Sequence, residues 1–151
     1  MSTRTCILAL LAAGLSGGPA FAFTAYVSNE KGNSITVVDT ETKQVVKTVD
    51  VGQRPRGITL SHDGKFLYLC ASDDDTVEVI DTSTLEIIGT LPSGPDPELF
   101  VLSPDGKRLY VANEDDNLVT VIDIENNKVL SELPVGVEPE GMGISPDGKT
   151  L

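Results

Sequence analysis

Tyr26, Tyr68 and Tyr110 stand 42 residues apart, and from Tyr26 to Leu151 the chain reads as three aligned copies of one unit with no insertion or deletion. The copies span 26–67, 68–109 and 110–151. They share the opening tyrosine, a core valine (Val37, Val79, Val121), an aspartate two residues on (Asp39, Asp81, Asp123), a glycine (Gly52, Gly94, Gly136), a proline (Pro55, Pro97, Pro139) and a closing Ser-x-Asp-Gly-Lys stretch followed by Leu. Such a chain carries its own internal comparison. Positions identical in all copies are architectural, and positions that differ between copies are where a specific function can sit.

The third copy predicts strands at Arg108–Asn113, Leu118–Ile122, Val129–Leu133 and Glu140–Ser145, each bounded by turn formers. Ser145–Lys149 reads as a hairpin turn: Pro146 presets φ, Asp147 bonds the local backbone and Gly148 takes the positive φ. The shared aspartates at 39, 81 and 123 read as Asx turns, and Lys65, Lys107 and Lys149 as solvated turn residues. No stretch holds a 3.6-residue apolar period over a dozen residues, so the fold class is all-β. The strands are short and often apolar on both faces (Val79-Ile80, Val121-Ile122). Four-stranded sheets stacked face to face bury both sides, and a strand-rich unit of about 40–45 residues is one blade of a β-propeller. With the inner strand starting after each Gly-x-x-Pro, Arg56–Leu91 and Glu98–Leu133 are two complete blades of a partial ring. Tyr26–Val49 supplies three outer strands, and Glu140–Ser145 a lone inner strand.

Residues 1–22 stand outside the repeats. Arg4, the apolar run Ile7–Leu15 and Ala20-Phe21-Ala22 make a cleavable signal peptide, with cleavage expected after Ala22 and a periplasmic or secreted product. The run is too short to span a bilayer, and membrane insertion is not expected. Of the two cysteines, Cys6 lies in this leader; Cys70, in YLCAS, reads as a small buried hydrophobe. The net charge of −12 repels phosphate backbones, which argues against nucleic acid as a partner and for basic proteins or cations.

The Tyr-Val-x-Asn openings at Tyr26–Asn29 and Tyr110–Asn113, with Gly-x-x-Pro and Ser-Pro-Asp-Gly-Lys downstream, resemble the YVTN family of β-propeller repeats. The second copy departs, with YLCA at Tyr68–Ala71. The phrases GQRPRGI, GPDPELF, YVANEDDNLVTVID and GVEPEGM look like the secreted propellers associated with pyrroloquinoline quinone (PQQ)-dependent alcohol catabolism. The resemblance spans residues 23–151. It implies a single ring of about seven blades, of which this chain would be the N-terminal part. The remaining blades would be needed to close the ring. An open arc leaves apolar faces and strand edges in water, so the 23–151 product alone is expected to be unstable.

The unlike residues gather in loops at one end of the ring. The pairs flanking each repeated proline begin the inner strands and should rim the central channel. They are Arg54 and Arg56, then Asp96 and Glu98, then Glu138 and Glu140. This rim, basic at one blade and acidic at the next two, is the candidate ligand- or partner-binding site. The lone histidine of the repeats, His62, falls in a turn at the opposite end, so no Ser-His-Asp or Cys-His device is supported. His/Cys metal spacing is absent, the acidic runs at 73–75 and 114–116 lack EF-hand spacing, and no Cys-x-x-Cys-His occurs. In propeller quinoenzymes tryptophans dock the blades and stack on the cofactor; this chain has none. The expectation is a non-catalytic binding or scaffold module without catalytic residue, cofactor or metal, partnered by a protein of a periplasmic alcohol oxidation system. A propeller hydrolase or lactonase-like enzyme, completed by further blades, is the alternative; a cell-surface array ranks behind both.

Overall fold

A computed structural model describes residues 23–151; the signal-peptide reading of residues 1–22 falls outside them. Eleven strands form three antiparallel, up-and-down sheets. The first holds β1 (Thr24–Asn29), β2 (Ser34–Asp39) and β3 (Gln44–Asp50). The second holds β4 (Pro55–Leu60), β5 (Phe66–Ala71), β6 (Thr76–Asp81) and β7 (Glu86–Pro92). The third holds β8 (Pro97–Leu102), β9 (Arg108–Asn113), β10 (Leu118–Asp123) and β11 (Lys128–Pro134). This is the all-β partial propeller that the 42-residue period predicts. Each sheet has a bulge at the same place, between Val37 and Val38, Val79 and Ile80, and Val121 and Ile122.

Side chains alternate across a strand, and the middle sheet has a neighbour on each face. Leu67 and Leu69 of β5, with Ile80 of β6, meet Ile35 of the first sheet. Tyr68 and Cys70, the residues between, pack with Val77 against Phe100, Leu109, Val111 and Ile122. Phe66–Ala71 is therefore apolar at every position because both of its faces are core. The inner strands β4 and β8 approach backbone to backbone. A Cβ built on Gly57 would stand 2.7 Å from the Glu98 carbonyl oxygen, so only glycine fits there.

The expected inner strand at Glu140–Ser145 does not form; no strand follows Pro134. The reason is pairing. β4 and β8 are held by the tyrosine strands β5 and β9 that follow their hairpin turns. Glu140–Ser145 has no such partner strand among the described residues. Its turn still closes, with Ser145 N–H donating to Thr150 O at 2.8 Å. The loops show the same dependence. Gly52 packs on Ala71, Asp74 and Glu78 of the following blade, and Gly94 on Asn113, whereas a Cβ on Gly136 would meet nothing within 4 Å.

Candidate functional site at the channel mouth

The backbone that presents the variable pairs is the same in each repeat. Arg54, Asp96 and Glu138 all adopt left-handed conformations, with φ of 50°, 47° and 53°. For a residue with a Cβ this costs on the order of 1–2 kcal/mol and needs support from its surroundings. That support is an Asx side chain placed 21 residues earlier. Asn33, Asp75 and Asn117 accept the N–H of Arg54, Asp96 and Glu138 at 3.0, 3.0 and 2.9 Å. The capping residues are themselves left-handed. One repeated device thus turns position 54 of each loop into the mouth, whatever side chain it carries.

What those side chains do was not legible in the sequence. Arg54 Nη2 donates to Asp96 Oδ1, and lies 3.2 Å from Glu98 Oε1. Its Nε stands 2.9 Å from Asp73 Oδ1. Arg56 Nη2 is 2.5 Å from Glu98 Oε2, and its Nη1 is 3.6 Å from Glu30 Oε1. The Arg56–Glu98 approach lies off the donor axis, so it is an ion pair rather than an aligned hydrogen bond. Glu98 is fully buried, while each arginine side chain keeps about 30% of its exposure. Two guanidinium groups of one blade therefore clamp a buried carboxylate of the next. Burial pushes the Glu98 carboxyl up; Arg56 and Arg54 pull it back down, and the neighbouring Glu114 pushes it up again. The net shift is upward.

Of the six expected rim residues, Arg54, Arg56, Asp96 and Glu98 come together in this clasp. Glu138 and Glu140 are exposed and make no ion pair among the described residues. Glu140 instead borders a cleft of about 270 Å³ lined by Ser28, Glu30, Pro55, Arg56 and Leu99. Arg56 and Leu99 lie on the inner strands β4 and β8, and Glu140 on the segment that aligns with them, so the cleft opens beside the inner strands. Glu98 is wholly covered, with both arginines lying against its carboxylate.

Glu30, Asp73 and Glu114, from loops that differ between the repeats, also enter the site. Their positions held a signal. Glu30 precedes Arg56 by 26 residues, and Glu114 precedes Glu140 by the same offset. Asp96, Glu98 and Glu114 bring carboxylate oxygens within 4.8 Å of one another, a spacing that suits a hard cation. Arg54 already lies on two of the three, so a guanidinium supplies the positive charge there. Ser28, whose hydroxyl borders the cleft, donates to Arg56 O at 2.9 Å. His62 sits at the other end with Nε2 3.0 Å from Ser103 O, and burial pushes the Cys70 thiol well above its ordinary range.

Residues 24–135 match the family described as lactonase, seven-bladed β-propeller. Among solved structures, a chain of Kuenenia stuttgartiensis hydrazine synthase superposes with a TM-score of 0.78 and 35% identity, over 83% of this chain and 37% of that one. A Bacteroides fragilis protein provisionally described as a 6-phosphogluconolactonase superposes with a TM-score of 0.66 and 25% identity, over 77% of this chain and 37% of its own. YncE of Salmonella typhi, an uncharacterised protein, is 38% identical over 52 residues, which is 34% of this chain and 15% of the relative. The chain thus spans well under half the length of each of these proteins. On the match over its repeats, and on the sheets that those repeats form, the chain belongs to the lactonase family of seven-bladed β-propellers.

Proposed function

We propose that this chain works by recognition rather than by chemistry, as part of a non-catalytic, periplasmic propeller in a PQQ-dependent alcohol oxidation system. Its channel mouth would take a basic surface of a protein partner. The observation that carries this reading is the state of the mouth's charged groups. The arginines are spent on Asp96, Glu98, Asp73 and Glu30, whereas Glu138 and Glu140 stay exposed beside the cleft. A partner approaching the mouth therefore meets unpaired negative charge on a chain whose net charge is already −12. Interfaces of this kind gain association rate from charge and lose it in salt.

The test uses the complete protein and a purified periplasmic PQQ-dependent alcohol dehydrogenase as probe. Glu138→Lys with Glu140→Lys should weaken capture and flatten its salt dependence. Unchanged capture removes the mouth from the reading. Hydrolysis of 6-phosphogluconolactone by the same preparation, lost on mutation of the mouth, would replace recognition with catalysis. The export step has its own check: the mature protein should begin at Phe23.

A further inference from the structure

The same loop is held in two chemically different ways in adjacent blades. In the third repeat Thr120 donates to Asn113 Oδ1 at 2.7 Å, and Asn113 Nδ2 reaches Ser93 Oγ at 3.0 Å and Pro95 O at 3.2 Å. That network is neutral. In the second repeat alanine stands where Asn113 would be, at Ala71, and glutamate where Thr120 would be, at Glu78. Glu78 Oε1 now accepts the N–H of Gly52 at 3.0 Å. Asp74 Oδ2 accepts the N–H of Gln53 at 2.7 Å, and its Oδ1 accepts Gln53 Nε2 at 3.3 Å. Position 95 is proline in the third repeat's loop and offers no N–H, whereas Gln53 in the second offers one that Asp74 accepts.

From this exchange we infer that Glu78 is a proton-linked positioning residue: through the amide of Gly52, two residues before Arg54, it controls how firmly Arg54 is held at the channel mouth. Three observations support it. Glu78 keeps only 7% of its exposure, and its Oε2 has no hydrogen-bond partner. Its surroundings are otherwise apolar or neutral. It lies on the face of β6 that also carries Ile80 and turns to Ile35 and Val49 of the first sheet and to Val51 just beyond it, and its ladder partners are Leu69 and Thr90. Asp74, next to the loop, is the charged group that acts on it. Finally, the loop ends at Arg54, whose side chain makes the clasp.

Burial pushes the Glu78 carboxyl up, the Gly52 amide pulls it down, and Asp74 pushes it up again, for a net upward shift. A raised carboxyl binds its proton more tightly folded than unfolded. Its contribution is therefore full in acid and is lost as pH rises through the raised value. The ionised form accepts more strongly from Gly52 but repels Asp74, which holds the Gln53 amide, so the loop is held differently on the two sides of the titration.

The inference rests on the mouth as the working site, but its test does not need a partner. In the complete protein, the Gly52 amide nitrogen shift should follow one titration centred above the ordinary carboxylate range, and the Arg54 Nε–H signal should follow the same midpoint. Glu78→Gln should abolish the Gly52 titration and remove its midpoint from the Arg54 signal, leaving there the response to Glu98. If that variant fails to fold, Ala71→Asn with Glu78→Thr installs the neutral network of the third repeat and should do the same. A Gly52 shift that is flat across this range, or one that still titrates in either variant, overturns the inference. Loss of partner capture by Glu138→Lys with Glu140→Lys reads only the mouth, so the two ideas fail separately.

Discussion

The two ends of the ring have opposite acid–base character. At the turn end, Asp39, Asp63, Asp81, Asp105, Asp123 and Asp147 are all held below the ordinary carboxylate range by hydrogen bonds from neighbouring hydroxyl, amide or backbone groups. At the mouth end, burial pushes Glu78 and Glu98 above it. The turn end repeats itself in detail: Ser61, Ser103 and Ser145 donate to the aspartate two residues on at 2.7, 2.6 and 2.7 Å. The mouth repeats only its backbone and the Asx caps that hold it. Exposed groups bonded within their own turn give identical results wherever the sequence recurs. Groups aimed into a neighbouring blade depend on what that blade presents. An identical stretch therefore marks construction, and a fixed backbone with changing side chains marks the surface open to specialisation.

The comparison can be broken most severely where two blades touch. Gly57→Ala should drive a methyl group into the β8 backbone at Glu98 and cost about 3 kcal/mol, the upper end for overpacking. Chemical denaturation would read it, and an unchanged midpoint would show that the inner strands are free to part. Glu98→Ala comes next. It leaves two guanidinium groups short of their shared carboxylate. Because the arginines retain solvent and other acidic neighbours, about 2 kcal/mol is expected rather than the 3–5 of a wholly buried pair. Arg56→Ala should cost less than Glu98→Ala, since Arg54 still contacts the carboxylate.

The acid–base contrast can be sharpened by titration. Asp63, lowered to about 2, contributes stability that is present above the ordinary aspartate range and is lost as pH falls through its folded value. The turn end should loosen in strong acid, and Asp63→Asn should remove part of that sensitivity in a pH-dependent unfolding series. Glu98 carries the opposite sign, its contribution falling as pH rises through its raised value. The smallest change sits outside both ends. Gly89, in β7, has open space at its Cβ position, so Gly89→Ala should stabilise by about 0.5 kcal/mol through the unfolded chain.

Much of the architecture could be read from the chain because its causes are local. Asp81 accepts the N–H groups of Ser83 and Thr84, and Gly64, Gly106 and Gly148 sit at φ near 70°. These are properties of a few consecutive residues, and they recur every 42. The all-apolar Phe66–Ala71 likewise announced a strand buried on both sides. Glu140–Ser145 misled because its composition matches β4 and β8, while strand formation depends on a partner that composition does not supply.

By itself the sequence determined the period, the turns, the strands of each sheet and the end of the ring where unlike residues collect, since each follows from short-range bonding and alternation. Tertiary structure alone decided that Arg54 grips Asp96 and Glu98, that Glu98 is sealed while Glu140 is open, and that Glu78 props a loop of the preceding connection. Those pairings join residues 26 to 44 positions apart on different blades. Their chemistry depends on the distance and burial between blades, which no single repeat encodes.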